Sequence, residues 1–196
     1  MRVTRAQAAE NRARVVETAA RLFREHGFDG IGVDSLMREA GLTHGGFYKN
    51  FESKDALAAE ACTQAMDAAA ERWAALIEAS GPDALARLAD QYLSPAHRDR
   101  PGGGCTVAAL AAEAGRRPGP LRATFGRGLR ATLERLSRIM PGRSEAARRE
   151  RAVAAYAGLV GTLVLARAAA DHPELSDEIL AAGRRAFGGA APKAAP

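Results

Sequence analysis

Lysine is nearly missing from this chain: of 28 cationic side chains, only Lys49, Lys54 and Lys193 are not arginine. Cysteine is scarcer still. Cys62 and Cys105 have no framework spacing, which excludes a disulfide-built scaffold and points to a reducing compartment. Aromatic residues make up 5% of a chain that is 47% hydrophobic, so its apolar content is mostly Ala, Leu and Val. Ala and Leu are strong helix formers, and an all-α fold follows. The four histidines, His26, His44, His97 and His172, are scattered without ligand spacing, and no nucleophile or phosphate-loop motif appears. No metal site, no cofactor and no enzymatic activity are therefore expected. The longest apolar run, residues 152–166 between Arg151 and Arg167, falls short of the roughly 20 residues of a membrane span. It reads as a buried helix, and with no signal-peptide pattern at the start the chain is expected in the cytoplasm.

The formal net charge is +5, which suits a polyanionic partner. Arg2, Arg5, Arg12 and Arg14 against Glu10 make the start of the chain a cationic arm, while the remaining charge reads as largely mixed. Thr4 to Gln7 has the form of a capping box, and Val15, Val16, Ala19, Leu22 and Phe23 recur at helical spacing until Gly27. Further helices are predicted over residues 33–40, from Thr43 to just before Ser53, over 54–79 and up to about Leu93. A mobile loop over 94–104 follows, then helices over 106–114, 120–140 and 144–170, and a last one from Ser176 to about Phe187. The boundaries implied are 1–52 for a first domain, 53–188 for a second, and a disordered tail over 189–196.

Residues 33–51 hold two short helices joined by a turn that opens on Gly41, the helix-turn-helix plan. Gly45 and Gly46 are adjacent inside the second, where each costs about 1 kcal/mol relative to Ala. Close approach of the backbone to another surface would offset that cost, and Tyr48, Lys49 and Lys54 make a DNA groove the natural one.

The stretch REHGFDGIGVDSLMREAGLTHGGFYKNFESKDAL resembles the DNA-binding signature of the TetR/AcrR repressors, with a dense match over about residues 10–60. The resemblance implies a three-helix DNA-binding domain followed by a helical bundle for ligand binding and dimerisation. Thr43, His44 and Gly45 would open the recognition helix and meet base edges of double-stranded operator DNA. Tyr48, Lys49 and Lys54 would hold phosphates, Arg5 would be the arm's contact, and Phe47 and Phe51 would pack inward. Gly32 departs from the pattern, standing where the family places a Thr or Ser cap whose hydroxyl touches a phosphate. Met37 replaces a small residue.

VGTLVLARAAADHPELSDEIL is similar to the last two helices of many such repressors. Ala154, Gly158 and Gly161 permit close helix approach, and with Ile179 on the last helix they mark a two-fold homodimer interface. Cys62, Met66, Trp73, Tyr92, Phe125 and Tyr156 are the candidate pocket for a small hydrophobic or aromatic inducer, with ordinary core as the other reading of each. Cys105, after three glycines, is either a structural residue at a helix start or an electrophile-sensing thiol. A helical ligand-binding module without operator affinity is the remaining alternative.

Overall fold

The computed structural model describes residues 4–188; the tail expected over 189–196 and Arg2 of the arm lie outside the described residues. Those described are helix and turn, with no strand. In order they are α1 (Arg5–His26), α2 (Val33–Glu39), α3 (Phe47–Asn50), α4 (Lys54–Ser80), α5 (Ala84–Tyr92), α6 (Pro95–Asp99), α7 (Thr106–Gly115), α8 (Pro120–Ile139), α9 (Glu145–Ala168) and α10 (Pro173–Gly188). The chain divides into two compact units. One holds the residues up to Ala68 together with Pro101–Gly128, and the other holds Ala69–Arg100 and the residues from Leu129 on. The boundary expected at residue 52 thus falls inside the first unit.

In the first unit, the Thr4 hydroxyl accepts the Gln7 N–H at 3.2 Å and starts α1. The Gln7 amide turns to Glu10 instead of back to the cap, so only half of the capping box forms. Val15, Val16, Ala19, Leu22 and Phe23 line the buried face, and the helix stops at Gly27, whose φ of 76° suits glycine. Phe23, Phe28, Leu36, Phe47 and Leu57 close the core together with Leu110 and Leu121, which arrive from α7 and α8. Full burial of such side chains contributes roughly 1.5–3 kcal/mol each. The later segment also brings polar anchors. Glu113 Oε2 accepts the Phe28 N–H at 2.9 Å. Arg117 pairs with Asp29 and, at 3.0 Å, with Asp55. Arg24 Nε donates to the Gly102 carbonyl at 2.8 Å.

In the second unit, Ala84, Leu88, Ala89 and Tyr92 form the buried face of α5, and Leu159, Leu163 and Leu180 come in from α9 and α10. The segment 94–104, expected as a mobile loop, is instead built of helix and turn. Ser94 accepts the His97 N–H at 3.2 Å, Pro95 takes the first helical position, and residues 95–99 form α6. Arg98 clasps Asp177 at 2.6 Å and the Ser176 hydroxyl at 2.9 Å, while Arg167 donates to the carbonyls of His97 at 2.8 Å and Arg98 at 3.1 Å. Residues 101–103 form a 3-10 turn. The last helix starts at Pro173, three residues before the expected Ser176; that serine is buried inside the helix and donates to the Ala166 carbonyl at 2.7 Å. Helix α9 also exceeds the expected apolar run. Over 24 residues, with an 18-residue stretch of mean hydropathy 1.3, it is long and apolar enough to cross a membrane by length and composition. Its face of Ala152, Ala155, Tyr156, Leu159, Leu163 and Ala166 is instead buried within the unit.

Candidate nucleic-acid interface

Helix α2 is preceded by Gly32, which offers no side-chain hydrogen bond to the helix start, and is closed by Ala40. Gly41 then turns the chain at φ 71°, and the Leu42 N–H returns to the Met37 carbonyl at 2.9 Å. Thr43 is extended, residues His44–Gly46 form a single 3-10 turn, and only Phe47–Asn50 are α-helical. The glycine pair therefore sits in a tight turn at the entrance of the helix, not in its interior, so the helix-interior cost does not apply in that form. A side chain at Gly45 would meet nothing within 4 Å, and one at Gly46 would make ordinary contact with Met37 Cε at 3.5 Å. No packing inside the chain requires glycine at position 45.

Neighbouring side chains on so short a helix point about 100° apart. Phe47 takes the inside at 0% exposure, its ring tilted against that of Phe51 at 5.6 Å, and Tyr48 stands 67% exposed, its ring edge-on to Phe47 at 5.1 Å. Thr43, His44, Gly45 and Lys49 are exposed on the same segment. His44 Nδ1 is paired with Asp34 Oδ1 of α2, and the His44 ring lies 5.8 Å from that of Tyr48. That contact occupies Nδ1 of the imidazole. Asp34 was invisible to sequence reasoning, because a partner ten residues away follows no helical spacing.

Lys54 opens α4, where Ser53 Oγ accepts the Ala56 N–H at 3.0 Å. The Asp29 carboxyl is held below the ordinary carboxylate range, chiefly by its hydrogen bond from Arg117, with Lys54 adding a smaller push in the same direction. Arg5 is exposed on the first turn of α1. Arg12 of the expected cationic arm is not at liberty. It makes a two-pronged pair with Glu60 at 2.5 and 2.7 Å, its guanidinium lies 4.7 Å over the Phe51 ring, and the Glu60 bond raises its pKa.

The six candidate pocket residues fall in two places. Cys62 and Phe125 are buried in the first unit's core, with Met66 packed against it. Burial pushes the Cys62 thiol up to about 12, which keeps it protonated and inert. Trp73, Tyr92 and Tyr156 form an aromatic group in the second unit, with Trp73 at 5.8 Å from Tyr92 and 5.9 Å from Tyr156. His97, which sequence reasoning passed over, joins them at 4.7 Å from Tyr92 and shares a 2.6 Å hydrogen bond with the Tyr92 carbonyl. Burial lowers the His97 pKa against a smaller opposing effect of that bond. Cys105 is half-buried at the cap of α7.

Among the interface candidates, Ala154 is exposed, Gly161 faces open space and Ile179 is half-buried. Gly158 is occupied within the chain, since any Cβ there would overlap the Phe187 ring. Val153, Val164, Leu165 and Leu175 are large apolar side chains left exposed on α9 and α10.

An exposed tyrosine and lysine, carried on a short helix behind a glycine turn and backed by buried phenylalanines, define a helix-turn-helix DNA-binding regulator. Comparison with known proteins places it further. Residues 15–61 match the model of the bacterial regulatory proteins of the tetR family, and residues 81–147 match a tetracyclin repressor-like C-terminal domain. The chain belongs to the TetR family of transcriptional regulators. It is 38% identical over 53 residues to the HTH-type transcriptional regulator YerO of Bacillus subtilis, a match that spans only 18% of that protein's length. Its fold is similar to that of a TetR-family regulator from Cytophaga hutchinsonii, with TM-score 0.78 and 22% identity over 95% of this chain and 98% of that one. It is also similar to reduced NemR of E. coli (0.73, 22%, 89% and 95%) and to SCO4454 of Streptomyces coelicolor (0.63, 26%, 92% and 97%).

Proposed function

We propose that the chain is a cytoplasmic homodimeric repressor that holds a pseudo-palindromic operator and lets go when a small apolar or aromatic inducer binds. The observation that carries the DNA half is the contrast between Phe47 and Tyr48, adjacent residues at opposite extremes of exposure. A large aromatic beside Lys49 in water is explained by a partner outside the chain. Tyr48, Lys49 and Lys54 bond phosphates, Arg5 adds a contact, and Thr43, His44 and Gly45 meet base edges. Asp34 orients the imidazole for that reading. Gly45 lets the turn's backbone come close to the groove.

One short recognition segment reads few base pairs, so two copies related by a dyad are needed, with half-sites spaced by whole helical turns. Ala154, Gly161 and Ile179, with Val164 and Leu165, form the face for the second copy. The inducer is held in the second unit, in the region of Trp73, Tyr92 and Tyr156. It acts only through its unequal affinity for the two conformations of the dimer. The division of labour that goes with this function is 1–52 for DNA and 53–188 for ligand and dimer, with residues 101–128 of the latter packed into the first unit.

Selection of bound duplexes from a random pool, followed by titration at two salt concentrations, tests the DNA half. Binding must weaken steeply with salt. No affinity for any duplex, at either salt, would leave a ligand-binding module without operator function. A second reading rests on the half-exposed Cys105, the more accessible of the two thiols. There the inducer is an electrophile, and alkylation of the wild type but not of Cys105→Ser releases the operator.

A further inference from the structure

Residues 122–151 hold nine arginines and three glutamates, which leaves nineteen cations against twenty acids in the rest of the chain. The entire positive excess of the protein is therefore concentrated in one stretch outside the helix-turn-helix. In the folded chain this stretch does not spread its charge evenly. Within the second unit, the end of α8 and the beginning of α9 border an open cleft of about 940 Å³, within the roughly 300–1,000 Å³ of small-molecule sites. Arg130, Glu134 and Arg138 recur at four-residue spacing along one face of α8, and Glu145, Arg148 and Arg149 line the cleft from α9.

Glu134 and Glu145 offset only part of this charge, since four arginines against two glutamates leave the cleft wall with a net excess of two cations. The turn between the helices is held in place by arginine side chains as well. Arg148 donates to the Gly142 carbonyl at 3.2 Å and Arg151 to that of Pro141 at 2.8 Å, while Gly142 lies so close to Arg148 that a Cβ would come 2.9 Å from its Cγ. The cleft thus has a fixed end and four guanidinium groups on its walls. The guanidinium groups outnumber the two carboxylates, and their planar fork matches the oxygens of phosphate two at a time.

We propose that this cleft binds a small, multiply charged phosphate compound, at a site separate from the aromatic group assigned to an apolar inducer. The test is calorimetric titration of the full chain with inorganic pyrophosphate at constant ionic strength, with thermal unfolding alongside. Saturable binding of one pyrophosphate per chain is expected, together with a rise in Tm that grows with its concentration. The double variant Arg130→Gln/Arg149→Gln should lose about tenfold in affinity or more. Lys49→Gln, altered in the recognition segment, should bind pyrophosphate unchanged. Arg130 and Arg138 are exposed, so Arg138→Gln serves as a second variant whose folding is not in question. No saturable binding by the wild type, unaltered affinity in the double and Arg138→Gln variants, or loss of binding in Lys49→Gln would overturn the proposal. Citrate carries comparable charge on carboxylates, and equal affinity for it would overturn the assignment to phosphate.

Discussion

The two units leave different kinds of side chain in water. In the first, nearly every large apolar group is inside, and what stands out is a polar-tipped aromatic, Tyr48, flanked by His44 and Lys49. In the second, Val153, Val164, Leu165 and Leu175 remain outside, with Leu165 at 60% exposure, although the same helices bury a full row on their other side. The first surface is finished for contact with something charged and wet. The second presents apolar area that water disfavours, and a second copy of the chain would cover it.

Changing the second surface should have the largest consequence. Leu165→Glu, alone or with Val164→Glu, is expected to turn the dimer into monomers by analytical ultracentrifugation, and operator affinity should fall about a hundredfold or more because two half-sites are no longer linked. A dimer that persists unchanged would place the interface elsewhere. Next in size, Gly27→Ala attacks the first unit's frame. It forces φ 76° on a residue with a Cβ and drives that atom to 2.7 Å from the Glu113 carboxylate that holds the Phe28 N–H. The expected loss is about 2–3 kcal/mol in urea unfolding. Gly161→Ala, in open space, should cost the folded monomer nothing.

Smaller effects sharpen the comparison. Lys49→Gln should weaken binding to all duplexes alike by about fivefold and reduce the salt slope by about one, whereas His44→Ala should act on sequence preference. Asp34→Ala should loosen the imidazole and reduce discrimination between operators while slightly raising affinity for random duplex. The smallest effect is a pH dependence in the second unit. The folded pKa of His97 is lowered by burial, so the unfolded chain takes up the proton first. Stability contributed by neutral His97 is complete above its unfolded pKa of about 6.5 and declines as the pH falls below it toward the folded value. His97→Gln should flatten that part of the unfolding profile.

Local signals in the sequence located most helices. Thr4 does cap α1, Ser53 and Ser144 cap α4 and α9, and Gly27 and Gly41 do take positive φ where helices stop. The recognition segment was legible because its chemistry is contiguous, with Phe47, Tyr48 and Lys49 side by side. What escaped was long-range. Ser94 and Pro95 carry a helix-start signal, yet the Gly and Arg residues around them read as loop, and the clasp from Arg98 to Asp177 that holds α6 spans 79 residues. The same applies to Arg12 with Glu60, where a charge counted toward the DNA-facing arm is taken by an acid 48 residues on. The 3-10 turn at Gly45 and Gly46 follows from local backbone preference, which residue spacing alone does not resolve.

The contribution of residues 101–128 to the first unit has a consequence for how the protein is made. Arg24, Phe28 and Asp29 find their partners at Gly102, Glu113 and Arg117, so a ribosome that has released only the helix-turn-helix has released an incomplete head, with the floor of its core still unsynthesised. Grafting this head onto another regulator requires carrying α7 and the start of α8 with it. A nascent chain arrested before Arg117 emerges should remain sensitive to protease throughout α1.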